Sequence, residues 1–229
     1  MPPAQALEQA LDAVEPPPAL RASFRATISS GPASRHIQYD PYLPPGEQFQ
    51  VTWRFGDDPE LDAVVEGWRA ERQADIRLFA EDLRASLGDA RIVSERDGWS
   101  IQFRHRISPN DGAVDAAISS AMVGRLAFDR SNGLLSEVDY GLVRPIRLDD
   151  GTTLRTYRQT YRFGHSERWG VSFVSSYELE ARGGRWGFNE SRRVKVTLTD
   201  VSFALAGDAA QQLATKAGEP RRAFGAGMP

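Results

Sequence analysis

Apolar and polar residues are patterned along most of this chain with two periods. Between Pro59 and Leu87 the apolar positions Leu61, Val65, Trp68, Ile76, Phe79, Leu83 and Leu87 recur at helical spacing, with Arg72 interrupting the stripe. Asp58 stands where an N-cap belongs, Pro59 where a missing N–H costs nothing, and Gly88 where a left-handed stop is expected. The spacing predicts one long helix over Pro59–Leu87, roughly 40 Å in length at about 1.5 Å per residue. A shorter amphipathic helix is predicted over residues 4–14, closed by Pro16-Pro17-Pro18, and another over Val114–Ala121.

Nearly everything else alternates with period two. Leu20, Phe24 and Ile28 oppose Arg21, Ser23, Arg25 and Thr27, and Ile37 and Tyr39 oppose His36 and Gln38. Phe49, Val51, Trp53 and Phe55 read as one face of a third strand. After the long helix the pattern resumes at Arg91–Glu95 and continues through Trp99, Ile101, Phe103, His105 and Ile107. A hairpin is predicted from Val123–Arg130 and Leu134–Leu142 around Ser131-Asn132-Gly133. A strand opens at the Asp149-Asp150-Gly151 turn, and a long one runs over Trp169–Ala181 with Val171, Phe173, Tyr177 and Leu179 on one side. In the last strand, Arg193–Leu205, the phase slips between Leu198 and Val201, which predicts a β-bulge near Asp200.

About ten strands joined mostly by hairpin turns predict meander-like antiparallel pairing, and a sheet of that size must curl. The expected fold is α+β: a single domain over residues 1–205 and a flexible tail over 206–229. Its core is one large, strongly curved antiparallel sheet, an open half-barrel, with the long helix and two short helices on the concave face.

Composition narrows the function. The 229 residues, 41% hydrophobic and 26% charged, suit a folded domain with a real core, and no apolar run reaches the length of about 20 residues that a spanning helix needs. With 28 basic and 31 acidic residues the formal net charge is −3, which offers no global attraction for nucleic acid. Cysteine is absent, excluding disulfides and thiolate chemistry. The start, Met1-Pro-Pro-Ala, lacks the basic and apolar regions of a signal peptide, so either a cytoplasmic protein or a chain with its signal removed is compatible with it.

Candidate chemistry is sparse. His36, His105 and His165 have no metal-ligand spacing, and neither a metal nor another cofactor is expected. The pairs Asp149-Asp150 and Glu178/Glu180 read as a turn and a solvated strand face, and neither has a nucleophile or base beside it. No nucleophile elbow, zinc-protease or phosphate-loop motif is present, so no catalytic residue and no enzyme activity are expected, with an enzyme using His105 or His165 and an acidic residue as the alternative left open. Arg182, Arg185, Arg192, Arg193 and Lys195 gather around Trp186 and Phe188, and with an acidic total this reads as a bent hairpin rather than a nucleic-acid surface.

Aromatic bulk on the apolar side is what remains. If the sheet is strongly curved, one helix leaves part of its concavity empty, and an apolar cavity results. The phase of the pattern selects Trp53, Trp68, Phe79, Phe103, Phe128, Tyr161, Phe173 and Tyr177 as its lining. The competing expectation is that these rings interlock into a filled core.

The order of elements, with Leu20–Ser29 as a first strand and Gly124-Arg-Leu-Ala-Phe-Asp129 and Asn132-Gly133-Leu134 as a Gly-x-Leu-x-apolar-Asp hairpin, resembles the bacterial periplasmic lipoprotein carriers and receptors of the Lol type. The likeness in layout spans roughly residues 4–205. Where those proteins carry a Gly-x-x-x-x-x-Arg-Pro passage this chain has Tyr39-Asp-Pro-Tyr42, so no functional residue is carried over. The resemblance implies a half-barrel lidded by helices, a periplasmic or cell-envelope location reached by a removed signal peptide, and a lipid or lipidated protein held without chemistry. The alternative is a structural or protein-interaction module with a filled core and an Arg-rich outer face.

Overall fold

A computed structural model describes residues 3–70, 78–80, 82–95, 98–107, 112–129, 131–184 and 190–206. The chain begins with helix α1 (Pro3–Ala13) and three strands, β1 (Leu20–Ser30), β2 (Ala33–Tyr39) and β3 (Phe49–Phe55). Helix α2 (Pro59–Ala70) and the single turn α3 (Leu83–Ser86) precede β4 (Leu87–Glu95) and β5 (Gly98–His105). Helix α4 (Ala113–Ala121) leads into β6 (Met122–Phe128), β7 (Leu135–Leu142), the short β8 (Ile146–Arg147), and the long β9 (Thr153–Ser166), β10 (Val171–Gly184) and β11 (Glu190–Leu205).

All strands join one eleven-stranded sheet in the order β3-β2-β1-β11-β10-β9-β7-β6-β5-β4, with β8 paired to β9 off this path. Every pairing is antiparallel. The sheet does not close: β3 and β4 are its two edges. The first strand pairs with the last because β1 and β11 share ten register positions across the middle of the sheet. There the bulge expected near Asp200 appears. Ser23 faces Ser202 and Arg25 faces Thr199, so Asp200 and Val201 together oppose Phe24, and Asp200 adopts φ 52°.

The long helix is shorter than its apolar stripe suggests. Asp58 caps α2 as expected, its Oδ1 accepting the Leu61 amide at 2.9 Å, and Leu61, Val65 and Trp68 are buried. The helix is described to Ala70; Arg72 and Ile76 lie outside the described residues. Leu78–Ala80 is not α-helical, and Leu87 already belongs to β4. Gly88 is therefore no helix stop. It sits in β4, where a Cβ would come within 2.5 Å of the Arg104 carbonyl oxygen, so close backbone approach explains the glycine.

Two apolar cores form. One packs α2 and Phe79 on β1, β2 and the inner residues of β10 and β11, with Phe24, Ile28, Ile37 and Trp68 at its centre. The other packs α1 and Leu83 on β5, β6 and β7 through Leu11, Val14, Ile101, Phe103, Leu126 and Val138. Both use glycine to seat a ring. Phe103 lies across Gly124 on the neighbouring strand, and Phe173 lies across Gly164, positions where any Cβ would overlap the aromatic ring. The expected tail falls almost wholly outside the described residues. No helix among them is long and apolar enough to cross a membrane.

Candidate functional site

The seam between the two cores is not filled. A cavity of about 440 Å³ lies there, touched by residues from β1, α2, the Phe79–Leu83 passage, β5, β7, β9, β10 and β11. Ile28 on β1 and His105 on β5 are six strands apart in the sheet order, yet both reach it. Six strand spacings would cover roughly 29 Å on a flat sheet, so the sheet curls around the cavity. That curl is also why α2 alone cannot fill the concavity: it seats on β1 and β2, while α1 seats on the far strands.

One wall is apolar: Ile28, Val174, Val194, Val196 and Leu198 from the central strands, with Trp68, Phe79 and Leu83 above them. The other carries polar groups on aromatic rings. His105, Tyr140, Tyr161 and Tyr177 run in sequence across β5, β7, β9 and β10, with ring centroids 5.3, 6.2 and 4.8 Å apart. Gln159 and Asp82 complete this side. Asp82 is exposed and Val64 is 37% exposed, which places the mouth beside them.

Burial sets the ionisation of the tyrosines. Tyr140 is pushed up to about 12, chiefly by burial, with the Asp82 charge adding to it and the nearby Ser86 hydroxyl opposing it. That hydroxyl donates to the Leu83 carbonyl at 2.8 Å and lies 3.4 Å from the Tyr140 oxygen. Tyr161 is held well above the ordinary tyrosine range, first by burial and then by its neighbours Tyr177, Tyr140 and Asp82. Tyr157 is raised by burial against a hydrogen bond from Gln159 Nε2 at 2.8 Å. The Nδ1 of His105 is buried and has no hydrogen-bond partner among the described residues.

Of the eight lining residues expected from sequence, the cavity gathers four: Trp68, Phe79, Tyr161 and Tyr177. The others lie elsewhere, for identifiable reasons. Trp53 is on the outer face, 50% exposed, because Thr52 is an extra residue: Ile37 faces Val51 but His36 faces Trp53. Trp53 stacks there on Phe55 at 5.7 Å and meets the His36 ring edge-on at 4.8 Å. Phe173 is displaced by the same device. Ser175 bulges from β10, so that Val174 rather than Phe173 joins Tyr177 in the wall, and Phe173 packs on Phe203 instead. Phe103 is folded flat onto Gly124 inside the second core, and Phe128 sits at the far end of β6 against that core.

Sequence reasoning passed over the polar side: Asp82, His105, Tyr140 and Gln159. Tyr140 and His105 lie on strands that alternation predicts, whereas Asp82 falls inside the predicted helix Pro59–Leu87.

The remaining candidates for chemistry are engaged structurally. Asp150 closes the β8–β9 turn, accepting the Thr152 amide at 2.8 Å. Glu178 pairs with Arg193, and Glu180 with Arg182 at 2.7 Å. Several outer arginines have carboxylate partners on their own sheet, while Arg192 reaches Glu60 on α2 at 3.2 Å. Arg158 forks onto Asp139 at 2.7 and 2.9 Å, and Arg162 reaches Glu137 at 3.3 Å. Arg185, Trp186 and Phe188 lie outside the described residues. The histidines are on three separate strands, and His165 Nδ1 lies 3.4 Å from the Ser172 hydroxyl. Among the described residues no group of three or more His, Asp or Glu side chains is placed to hold a metal.

Comparison with protein-family models, with curated proteins and with solved structures finds no match to this chain.

Proposed function

We propose that this is a non-enzymatic binding protein that holds a lipid, the acyl chains of a lipoprotein or another apolar ligand inside the half-barrel. The observation that carries this reading is the unfilled seam between two otherwise packed cores, lined by Ile28, Val174, Val194, Val196 and Leu198 from the central strands. Its volume of about 440 Å³ falls within the usual size of small-molecule pockets. Each methylene moved from water into it would contribute about 0.8 kcal/mol. A cell-envelope location belongs to the same proposal and rests on the resemblance to the Lol-type carriers. The alternative of an interaction surface on outer arginines draws less support, because Arg158, Arg162, Arg182 and Arg193 are neutralised by carboxylates of the same sheet.

The test is a titration with N-phenyl-1-naphthylamine, a neutral fluorophore that brightens in apolar surroundings. Saturable one-to-one binding is expected for the native chain. Val196→Trp and Val174→Trp, which fill the apolar wall, should each abolish it while retaining a cooperative thermal transition. No rise with the native chain would mean that the seam does not admit a ligand.

A further inference from the structure

We propose that the polar side of this cavity selects a cationic amphiphile, an alkyl chain ending in an ammonium group seated between Asp82 and the neighbouring tyrosine rings. The inference rests on the cavity reading above and adds the chemistry of the ligand's head.

Among the described residues that line the cavity, Asp82 is the one carboxylate, and neither lysine nor arginine is present, in a chain with 28 basic residues. Asp82 precedes the single turn α3, yet its carboxylate makes no capping hydrogen bond there and no ion pair with any described residue. Among the described residues, Arg84, two positions on, is engaged elsewhere. Arg84 reaches Glu8 at 2.8 Å, Asp12 at 2.7 Å and Glu15 at 2.9 Å, so among the described residues three carboxylates of the first segment surround this one guanidinium. Among the described residues, an anionic head entering at Asp82 would meet repulsion and no basic partner in the cavity lining, whereas a cation would meet a carboxylate.

The rings supply the second half of the site. Tyr140, Tyr161 and Tyr177 form a continuous run on the wall, and aromatic faces attract ammonium groups through the ring quadrupole, more strongly where water is excluded. Tyr140 and Tyr161 are neutral through the neutral range as tyrosines ordinarily are, and burial raises them further, so their hydroxyls remain dipoles without becoming competing charges.

The experiment displaces bound N-phenyl-1-naphthylamine from the full chain with decylamine, decyltrimethylammonium, decanol and decanoate, all below micelle-forming concentration. These share one alkyl chain and differ in the head. The two ammonium compounds should displace the probe at roughly tenfold lower concentration than decanoate, with decanol between. In Asp82→Asn, and in Asp82→Ser as a second exposed-site variant, the ratio should fall to within about twofold. Decanoate binding as well as or better than the amines would overturn the proposal and assign the head to the buried imidazole of His105. An unchanged ratio in both Asp82 variants would overturn it equally. Either result leaves probe binding intact, whereas failure of the cavity reading removes probe binding itself.

Discussion

The Arg35 guanidinium, 2% exposed, donates from Nε to Asp62 Oδ1 at 2.8 Å and from Nη2 to Oδ2 at 3.2 Å. Its Nη1 donates to the carbonyls of Ser34, Phe55 and Gly56 at 2.9, 2.8 and 3.0 Å. One side chain thus fastens α2, which forms one side of the cavity, to β2 and to the end of β3. Arg35 lies on the apolar phase of β2, between Ala33 and Ile37, so the guanidinium is interior while its partner Asp62 stays 34% exposed on α2.

Removing either end of that clamp should loosen α2. Asp62→Ala leaves a buried guanidinium without its counter-charge and is expected to lower the melting temperature more than Arg54→Ala, which removes a half-exposed partner of the same carboxylate. Arg35 holds the Asp62 carboxyl below the ordinary range, so its contribution is present above the unfolded pKa and is lost as pH falls through the folded one. Thermal melts of both variants near neutral and at acid pH test the ranking: Asp62→Ala should lose least relative to native at the acid end.

Gly124 and Gly141 make a matched pair. A Cβ on Gly124 would overlap the Phe103 ring, while one on Gly141 meets nothing within 4 Å. Gly124→Ala should destabilise by about 1–3 kcal/mol through overpacking, and Phe103→Leu on that background should recover part of the loss. Gly141→Ala should be neutral or stabilising by less than about 1 kcal/mol. Urea denaturation measures all three.

Tyr140 makes the fold sensitive to alkali. Its folded pKa of about 12 lies above the unfolded value near 10, so the folded state holds the proton longer. The contribution of Tyr140 to stability is therefore constant below about pH 10 and declines as pH rises toward 12, by roughly 3 kcal/mol for this group when the interval is complete. Tyr140→Phe should flatten part of that decline and leave the rest, because Tyr161 is raised as well. Chemical denaturation between pH 9 and about pH 12 compares the two slopes.

Much of the sheet is legible in alternation alone, including the bulge at Asp200, because each strand has one apolar face and a slip in phase is visible wherever the pattern continues on both sides. Two other bulges, at Thr52 and Ser175, are silent in sequence. Trp53 and Phe55 continue the apolar beat of Phe49 and Val51 although they have turned outward, and both Phe173 and Val174 are apolar, so either register satisfies the pattern. The overextended helix has a related cause. Leu83 and Leu87 lie four residues apart, a spacing that fits one helical face and equally two steps of a strand. The polar wall is not legible in the sequence, because Asp82 within a continuous helix has no reason to meet residues of β5, β7, β9 and β10.

The corrected positions give a contrast. Trp53→Ser should leave N-phenyl-1-naphthylamine affinity unchanged and alter stability by less than about 0.5 kcal/mol, since the ring is half exposed on the outer face. Tyr177→Ser, by contrast, should weaken probe binding several-fold, because it removes a ring from the cavity wall.

The most direct test is photocrosslinking of the native chain with an alkyl diazirine, followed by peptide mass spectrometry to locate the label. Attachment at Tyr161, Val174, Tyr177 or Val196, competed by unlabelled alkyl chain and lost in Val196→Trp at the remaining positions, is the predicted result. Label confined to Trp53 and Phe55 on the outer face, or spread without competition, would contradict an internal binding site.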